Sequence, residues 1–102
     1  MYRDKKRTVV VNCQKESYDV YIGRPSKWGN PFKIGEDGTR IEVIKKYRKW
    51  IISNKELLNQ IDELKGKRLG CWCKPKPCHG DVLVEVLTGF RNITKIFGEW
   101  NG

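Results

Sequence analysis

The chain has 102 residues, 38% of them hydrophobic and 32% charged, with 21 lysines and arginines against 12 acids and a formal charge of +9. That length suits one compact domain and leaves no room for two. Eleven aromatics argue against disorder, and no apolar run approaches the roughly 20 residues that span a bilayer.

The basic excess favours anionic partners, namely nucleic acid, nucleotides or an acidic protein. A solvated basic surface without a specific partner accounts for it equally well. The amino terminus, MYRDKKRTVVVN, has basic residues but a short apolar stretch and no small-residue cleavage pattern. The expectation is an intracellular protein without a signal peptide, in the cytoplasm (the host's, if the source is viral), and no membrane partner. In that compartment thiols stay reduced, so closely spaced Cys and His residues point to metal or catalysis before disulfides.

Residues 1–7 are charged and read as a flexible lead-in, with one α/β domain following over 8–102. Thr8 to Cys13 is β-branched and nearly all apolar, the pattern of a strand buried on both faces. Ser17 to Ile22 alternates, with Tyr18, Val20 and Ile22 on one face, and reads as a second strand. A long loop, GRPSKWGNPFKIGEDG, fills 23–38. Its Trp28 and Phe32 would be wasted in a solvated linker, so the loop is expected to pack on the body. Thr39 and Glu42 form a capping box, followed by an apolar stripe of Ile41, Ile44, Tyr47 and Ile51. Lys45, Lys46, Arg48 and Lys49 make a basic face off that stripe. Ser53 and Glu56 form a second box before Leu57, Leu58, Ile61 and Leu64, and Gly66 stands where a helix ends. Lys67 to Trp72 reads as a strand. Pro75 and Pro77 then forbid regular structure. GDVLVEVLTG predicts a short helix with Val82, Leu83, Val86 and Leu87 inward, with a strand as the competing reading, and the last residues are expected to dock on the body.

This order predicts an α/β fold: a single small domain with a partly parallel sheet and helices packed on it. Ligands of such sheets bind beyond the carboxyl ends of the strands. Cys13 ends the first strand and Cys71 the later one, so neighbouring parallel strands would put both thiols and the stretch GCWCKPKPCHGD along that edge.

That stretch permits several chemistries. Cys71, Cys73, Cys78 and His79 are four zinc-ligand types, but their C-x-C and C-H spacings are tighter than the usual knuckle, and no distant second pair closes the site. Zinc is therefore the alternative, and no cofactor the first expectation. Cys78 stands at a helix start, where free N–H groups favour a thiolate, with His79, Lys74 and Lys76 pushing the same way. The C-x-x-C redox spacing is absent. A Gly-containing helix start at His79-Gly80-Asp81 could receive an anion. Arg24 and Lys27 could supply charge, and Trp28 or Trp72 a stacking surface. The plain structural alternative has prolines stiffening a turn, Cys71 in the core, His79 or Asp81 capping the helix, and Asn30 bonding its own backbone.

YIGRPSKWGNPF followed by LGCWCKPKPCHGDVL resembles the small bacterial and phage family known as domain of unknown function 4326, over residues 8–88. The resemblance implies a compact α/β domain with these two loops as its site. Matched to the motifs, that site comprises Gly23, Arg24, Trp28, Gly29, Asn30, Pro31, Cys71, Trp72, Cys73, Cys78, His79, Gly80 and Asp81. Asn12, polar near the carboxyl end of an apolar strand, joins them.

The leading expectation is a nucleotide, nucleoside or nucleic-acid end held between 23–32 and 72–81 by Asn12, Arg24, Lys27, Trp28, Asn30, Trp72 and Gly80. If the ligand is processed, His79 is the acid/base group, Cys78 the nucleophile and Asp81 their neighbour. The alternatives are a zinc-stabilised interaction module and a non-catalytic viral or host protein-interaction domain using the basic helix face.

Overall fold

A computed structural model describes residues 7–88. The expected lead-in, apart from Arg7, and the expected docking of the last residues lie outside this range. Strands β1 (Val9–Asn12), β2 (Val20–Tyr21) and β3 (Arg68–Cys71) form one sheet in the order β1-β3-β2. Both pairings are parallel, with Val10 and Val20 flanking Leu69, and Asn12 opposite Cys71. The chain is a small α/β domain, as its element order predicts, and its sheet, expected to be partly parallel, is parallel in both pairings. The last strand enters between the first two, so β1 is an edge. Its outer end, Val9, is exposed, and only Val11 and Asn12 are buried. Burial on both faces, expected for the whole of 8–13, falls instead to Leu69, Gly70 and Cys71 in the central strand. β2 is shorter than expected because Asp19 leaves the regular ladder. Its carboxylate accepts from the Arg68 N–H at 2.8 Å while its own N–H bonds the Arg68 carbonyl at 2.8 Å.

Helix α1 (Arg40–Ile52) starts at the predicted capping box. The Glu42 N–H donates to Thr39 Oγ1 at 3.2 Å, and the Thr39 N–H donates to the Glu42 carboxylate at 2.8 Å. Its buried residues are Val43, Ile44, Tyr47 and Ile51, and Ile41 is exposed. At about 100° per residue, a face through Ile44, Tyr47 and Ile51 is centred nearer Val43 than Ile41. The expected basic face is partly used within the fold: Lys46 Nζ donates to the Asp37 carbonyl at 2.6 Å.

The second capping box does not form. Ser53 ends α1, its hydroxyl donating to the Trp50 carbonyl at 3.0 Å, and Asn54 caps the next turn by accepting from the Leu57 N–H at 3.1 Å. The single helix expected there is two short pieces, α2 (Lys55–Leu58) and a 3-10 turn (Ile61–Leu64). Leu57, Ile61 and Leu64 still reach the core. Gly66, at φ 71°, makes the predicted reversal, and its N–H donates to Thr8 Oγ1 at 2.7 Å.

Helix α3 (His79–Leu87) is the helix preferred over a strand. Val82 and Leu83 are buried as expected, while Val86 and Leu87 are only half-buried. His79, Gly80 and Glu85 are buried instead. Gly80 lies directly on the sheet: a Cβ there would stand 2.8 Å from Ile22 Cδ1 and 2.9 Å from Val10 Cγ1. Glu85 is 0% exposed, and neither carboxylate oxygen has a hydrogen bond among the described residues. Burial pushes its carboxyl up to about 7, against the pull of the Arg48 charge.

Two stability outcomes follow from α3. Gly80→Ala forces Ile22 and Val10 apart at a packed contact and should lower stability by roughly 1–3 kcal/mol, read by denaturant unfolding. Glu85 favours its neutral form when folded, so the wild type loses stability as pH rises from the unfolded carboxyl range through about 7. Glu85→Gln should therefore be more stable than wild type at pH 8, by on the order of 2 kcal/mol. The two should converge near pH 4, and a pH-independent difference would contradict this.

Candidate functional site

The loop 23–38 is tied down from within. Trp28 is 1% exposed, its Nε1 donating to the Glu63 carboxylate at 3.2 Å while its carbonyl accepts the buried Tyr47 hydroxyl at 2.7 Å. Lys27 pairs with Glu63 at 3.0 Å, donates to Gln60 and lies 5.4 Å from the Trp28 ring centre. The structure thus commits Lys27 and Trp28 to holding the loop on the 3-10 turn. Asn30 does what a residue before proline commonly does: its Oδ1 accepts the Phe32 N–H at 2.9 Å. Its Nδ2 also reaches the Val43 carbonyl at 3.2 Å, fastening the loop to α1. Arg24 closes the turn by donating to the Asn30 carbonyl at 3.0 Å.

The loop from Trp72 to Pro77 is clamped at both ends. Asn12 accepts the Gln14 N–H and donates to the Lys74 carbonyl, each at 2.8 Å. Asp81 receives the Lys74 ammonium at 2.7 Å and the Cys78 N–H at 3.1 Å, so it caps α3 and holds the loop together. Trp72, 56% exposed, donates from Nε1 to the Tyr21 hydroxyl at 2.7 Å. That hydroxyl donates in turn to the Arg24 carbonyl at 3.0 Å. Arg40, the first residue of α1, reaches the Pro77 carbonyl at 3.3 Å. Tyr21, at the end of β2, therefore joins the two loops, and Arg40 ties the second loop to the start of α1.

His79 is buried and packs edge-on against Tyr47, ring centres 5.0 Å apart. Its Nε2 lies 2.7 Å from the Ile22 carbonyl. A carbonyl only accepts, so Nε2 carries the proton and the neutral ring keeps Nδ1 as its acceptor. Burial holds the imidazole below its ordinary value, the Ile22 bond opposing. Cys78 is the residue before α3, its sulfur 3.2 Å from that of Cys71. The Cys71 hydrogen bond pulls the Cys78 thiol below its ordinary value against burial, and the Gly80 N–H pulls the same way. Cys73 moves up, through its bond to Cys71 and burial. Among the described residues no three His, Cys, Asp or Glu side chains are gathered so as to hold a metal ion.

Between the loops, beyond the carboxyl ends of β2 and β3, lies a cleft of about 520 Å³. Of the residues expected from sequence, Gly23, Arg24, Asn30, Trp72, Cys73, Cys78 and His79 line it. Asn12, Lys27, Trp28, Gly80 and Asp81 do not; they fix the walls. The cleft adds Tyr21, Phe32, Lys33 and Arg40, with Glu36 as an acidic lining residue. Tyr21 was legible only as one more aromatic in a strand. Arg40 directly follows a helix cap at the end of a long loop, which is a signal for a side chain at a loop mouth.

A small α/β domain with its cleft off the ends of parallel strands is the class this geometry defines. The chain belongs to the family described as domain of unknown function (DUF4326), whose sequence profile matches residues 5–89. It is 41% identical to an uncharacterised 12.4 kDa protein of the nrdA-td intergenic region of Enterobacteria phage T4, covering 76% of this chain and 75% of that one. It is 39% identical to an uncharacterised protein of Acanthamoeba polyphaga mimivirus, covering 79% and 72%. No solved structure matches it. No helix among the described residues is long and apolar enough to cross a membrane.

The His79 geometry sets a pH outcome. A folded value below the unfolded one stabilises above pH 6.5, and that stabilisation is lost as pH falls through the folded value. His79→Gln retains an amide donor for Ile22 but not the ring packing, and should lose roughly 1–2 kcal/mol at pH 7.5. The gap to wild type should narrow below pH 6.5, measured by unfolding at each pH.

Proposed function

We propose that the cleft binds a nucleotide, or the terminal nucleotide of a nucleic-acid strand. The observation that carries this is the pairing, within one cavity, of the exposed Trp72 ring with three cations, Arg24, Lys33 and Arg40. A tryptophan left mostly in water is held in place by its bond to Tyr21, so it is presented as a surface rather than buried as a core residue. Stacking of a base on such a ring contributes about 1–3 kcal/mol. Cations across the cavity suit a phosphate, and the net charge of +9 favours an anionic ligand at longer range. The volume is in the range of small-molecule sites. The position, off the carboxyl ends of parallel strands, is where open α/β sheets take ligands.

Of the groups expected to do chemistry, Cys78 and His79 border this cavity. His79 Nε2 is committed to Ile22, and Asp81 to Lys74 and the Cys78 backbone. A reaction on the ligand would use the Cys78 thiol as nucleophile, with His79 and Asp81 as positioning residues.

The test is titration with adenosine, adenosine monophosphate and a short single-stranded oligonucleotide, followed by tryptophan fluorescence and backbone amide NMR. The phosphorylated ligands should shift amides of residues 24–33 and 72–79, and bind more weakly as salt rises. Trp72→Ala should weaken them about 10-fold or more. Arg24→Ala and Arg40→Ala should reduce the preference for phosphate over nucleoside. Amides in both loops that stay unmoved by all three ligands at millimolar concentration would sink the proposal.

A further inference from the structure

Nucleophilic chemistry in the cleft needs one thiol, and the structure supplies a second directly behind it. Cys71 closes β3 and Cys78 precedes α3, with sulfurs 3.2 Å apart. Both side chains are buried, at 1% and 2% exposure, yet Cys78 also lines the cleft. The intervening loop is held at Lys74 from two directions, by Asn12 and by Asp81, so the two thiols are fixed without a bond between them. Bond formation requires the sulfurs to close by only about 1 Å, to the disulfide length of about 2.05 Å. All four cysteines of the chain are free thiols in this structure.

We infer that Cys71 and Cys78 form a two-electron redox site, oxidised to a disulfide by small hydroperoxides that enter through the cleft. The Cys78 thiolate attacks the peroxide oxygen, the O–O bond breaks and hydroxide leaves, taking up the proton that Cys78 released to depart as water and giving a sulfenic acid at Cys78. The Cys71 sulfur then attacks the Cys78 sulfur. Its proton goes to the departing hydroxyl, and the S–O bond breaks with loss of water. In total, two thiols and one hydrogen peroxide become one disulfide and two waters; an organic hydroperoxide leaves one alcohol and one water. Burial of the pair limits the oxidant to something small; a protein disulfide could not reach it. The helix start helps in the same direction, because the Gly80 N–H and the Cys71 thiol both favour the charged form of Cys78. Cys73 lines the cleft beside Cys78, but its bond to Cys71 favours its neutral form. The inference does not depend on what the cleft binds, although oxidation would remove the nucleophile from its wall.

The experiment treats the full reduced chain with hydrogen peroxide, quenches it, counts free thiols under denaturing conditions and maps the linked peptides. The expected result is loss of two of the four thiols, a mass lower by two hydrogens, and a Cys71–Cys78 link reversed by dithiothreitol. Cys73→Ser should give the same link. Cys71→Ser should stop at a sulfenic acid on Cys78, captured by dimedone. A dominant link through Cys73 or Cys13 would overturn the assignment. So would a Cys78 that stays reduced while peroxide consumes free cysteine in the same solution. The wild-type mapping requires no variant to fold, and nucleotide titration of the same sample tests the cleft separately.

Discussion

The start of α3 sits on the sheet itself, and the rest of the site is arranged around that contact. His79 donates to the Ile22 carbonyl just past β2, and Gly80 gives up a side chain so that the helix can lie against Ile22 and Val10. One bond and one missing Cβ thus set the depth and angle at which α3 crosses the strands. Tyr47 then packs against the His79 ring and sends its hydroxyl to the Trp28 carbonyl. The same helix start brings Cys78 against Cys71 and lets Asp81 hold Lys74. Both loops are therefore referred to a single buried point.

That arrangement accounts for a cleft made largely of loop residues yet fixed in shape. Irregular backbone needs partners for its polar groups: the first loop bonds its own backbone at Ser26, Gly29 and Asp37 and takes the Tyr47 hydroxyl at the Trp28 carbonyl, while Asn12 and Asp81 serve the second. Tyr21 then joins the loops across the opening, and Arg40 ties the second loop to the start of α1. A ligand bound there would need little reordering of the walls, so more of its contact energy would appear as affinity.

Burial divides the polar residues by task. His79 and Glu85 lie on the same short helix, and burial drives both toward the neutral form, which moves their titrations in opposite directions. His79 has a carbonyl to bond and anchors the helix. Glu85 has no hydrogen bond among the described residues. Its burial is not marked by apolar spacing, since a lone acid inside Val-Leu-Val-Glu-Val stands at a surface position in most helices.

Chain order, the capping box at Thr39, the Gly66 reversal and the two loop motifs were all legible in the sequence, because each depends on neighbours within a few residues. So was the parallel pairing of β2 with β3, which the helical crossover between them suggests. The order β1-β3-β2 was not, since which strand takes the centre depends on burial summed over the whole sheet. The break at Ser53 and Asn54 was missed because two adjacent residues can both cap, and packing of Leu57 and Ile61 chooses between them. Residues expected to bind a ligand or act on it divide in the structure by position. Arg24, Asn30 and Trp72 line the cleft, Asn12 and Asp81 brace it, and Trp28 and Gly80 belong to the core. Residue type and spacing specify what a side chain can do, whereas its exposure and its hydrogen-bond partner come from segments distant in sequence. Those were decided only when α3 met the sheet.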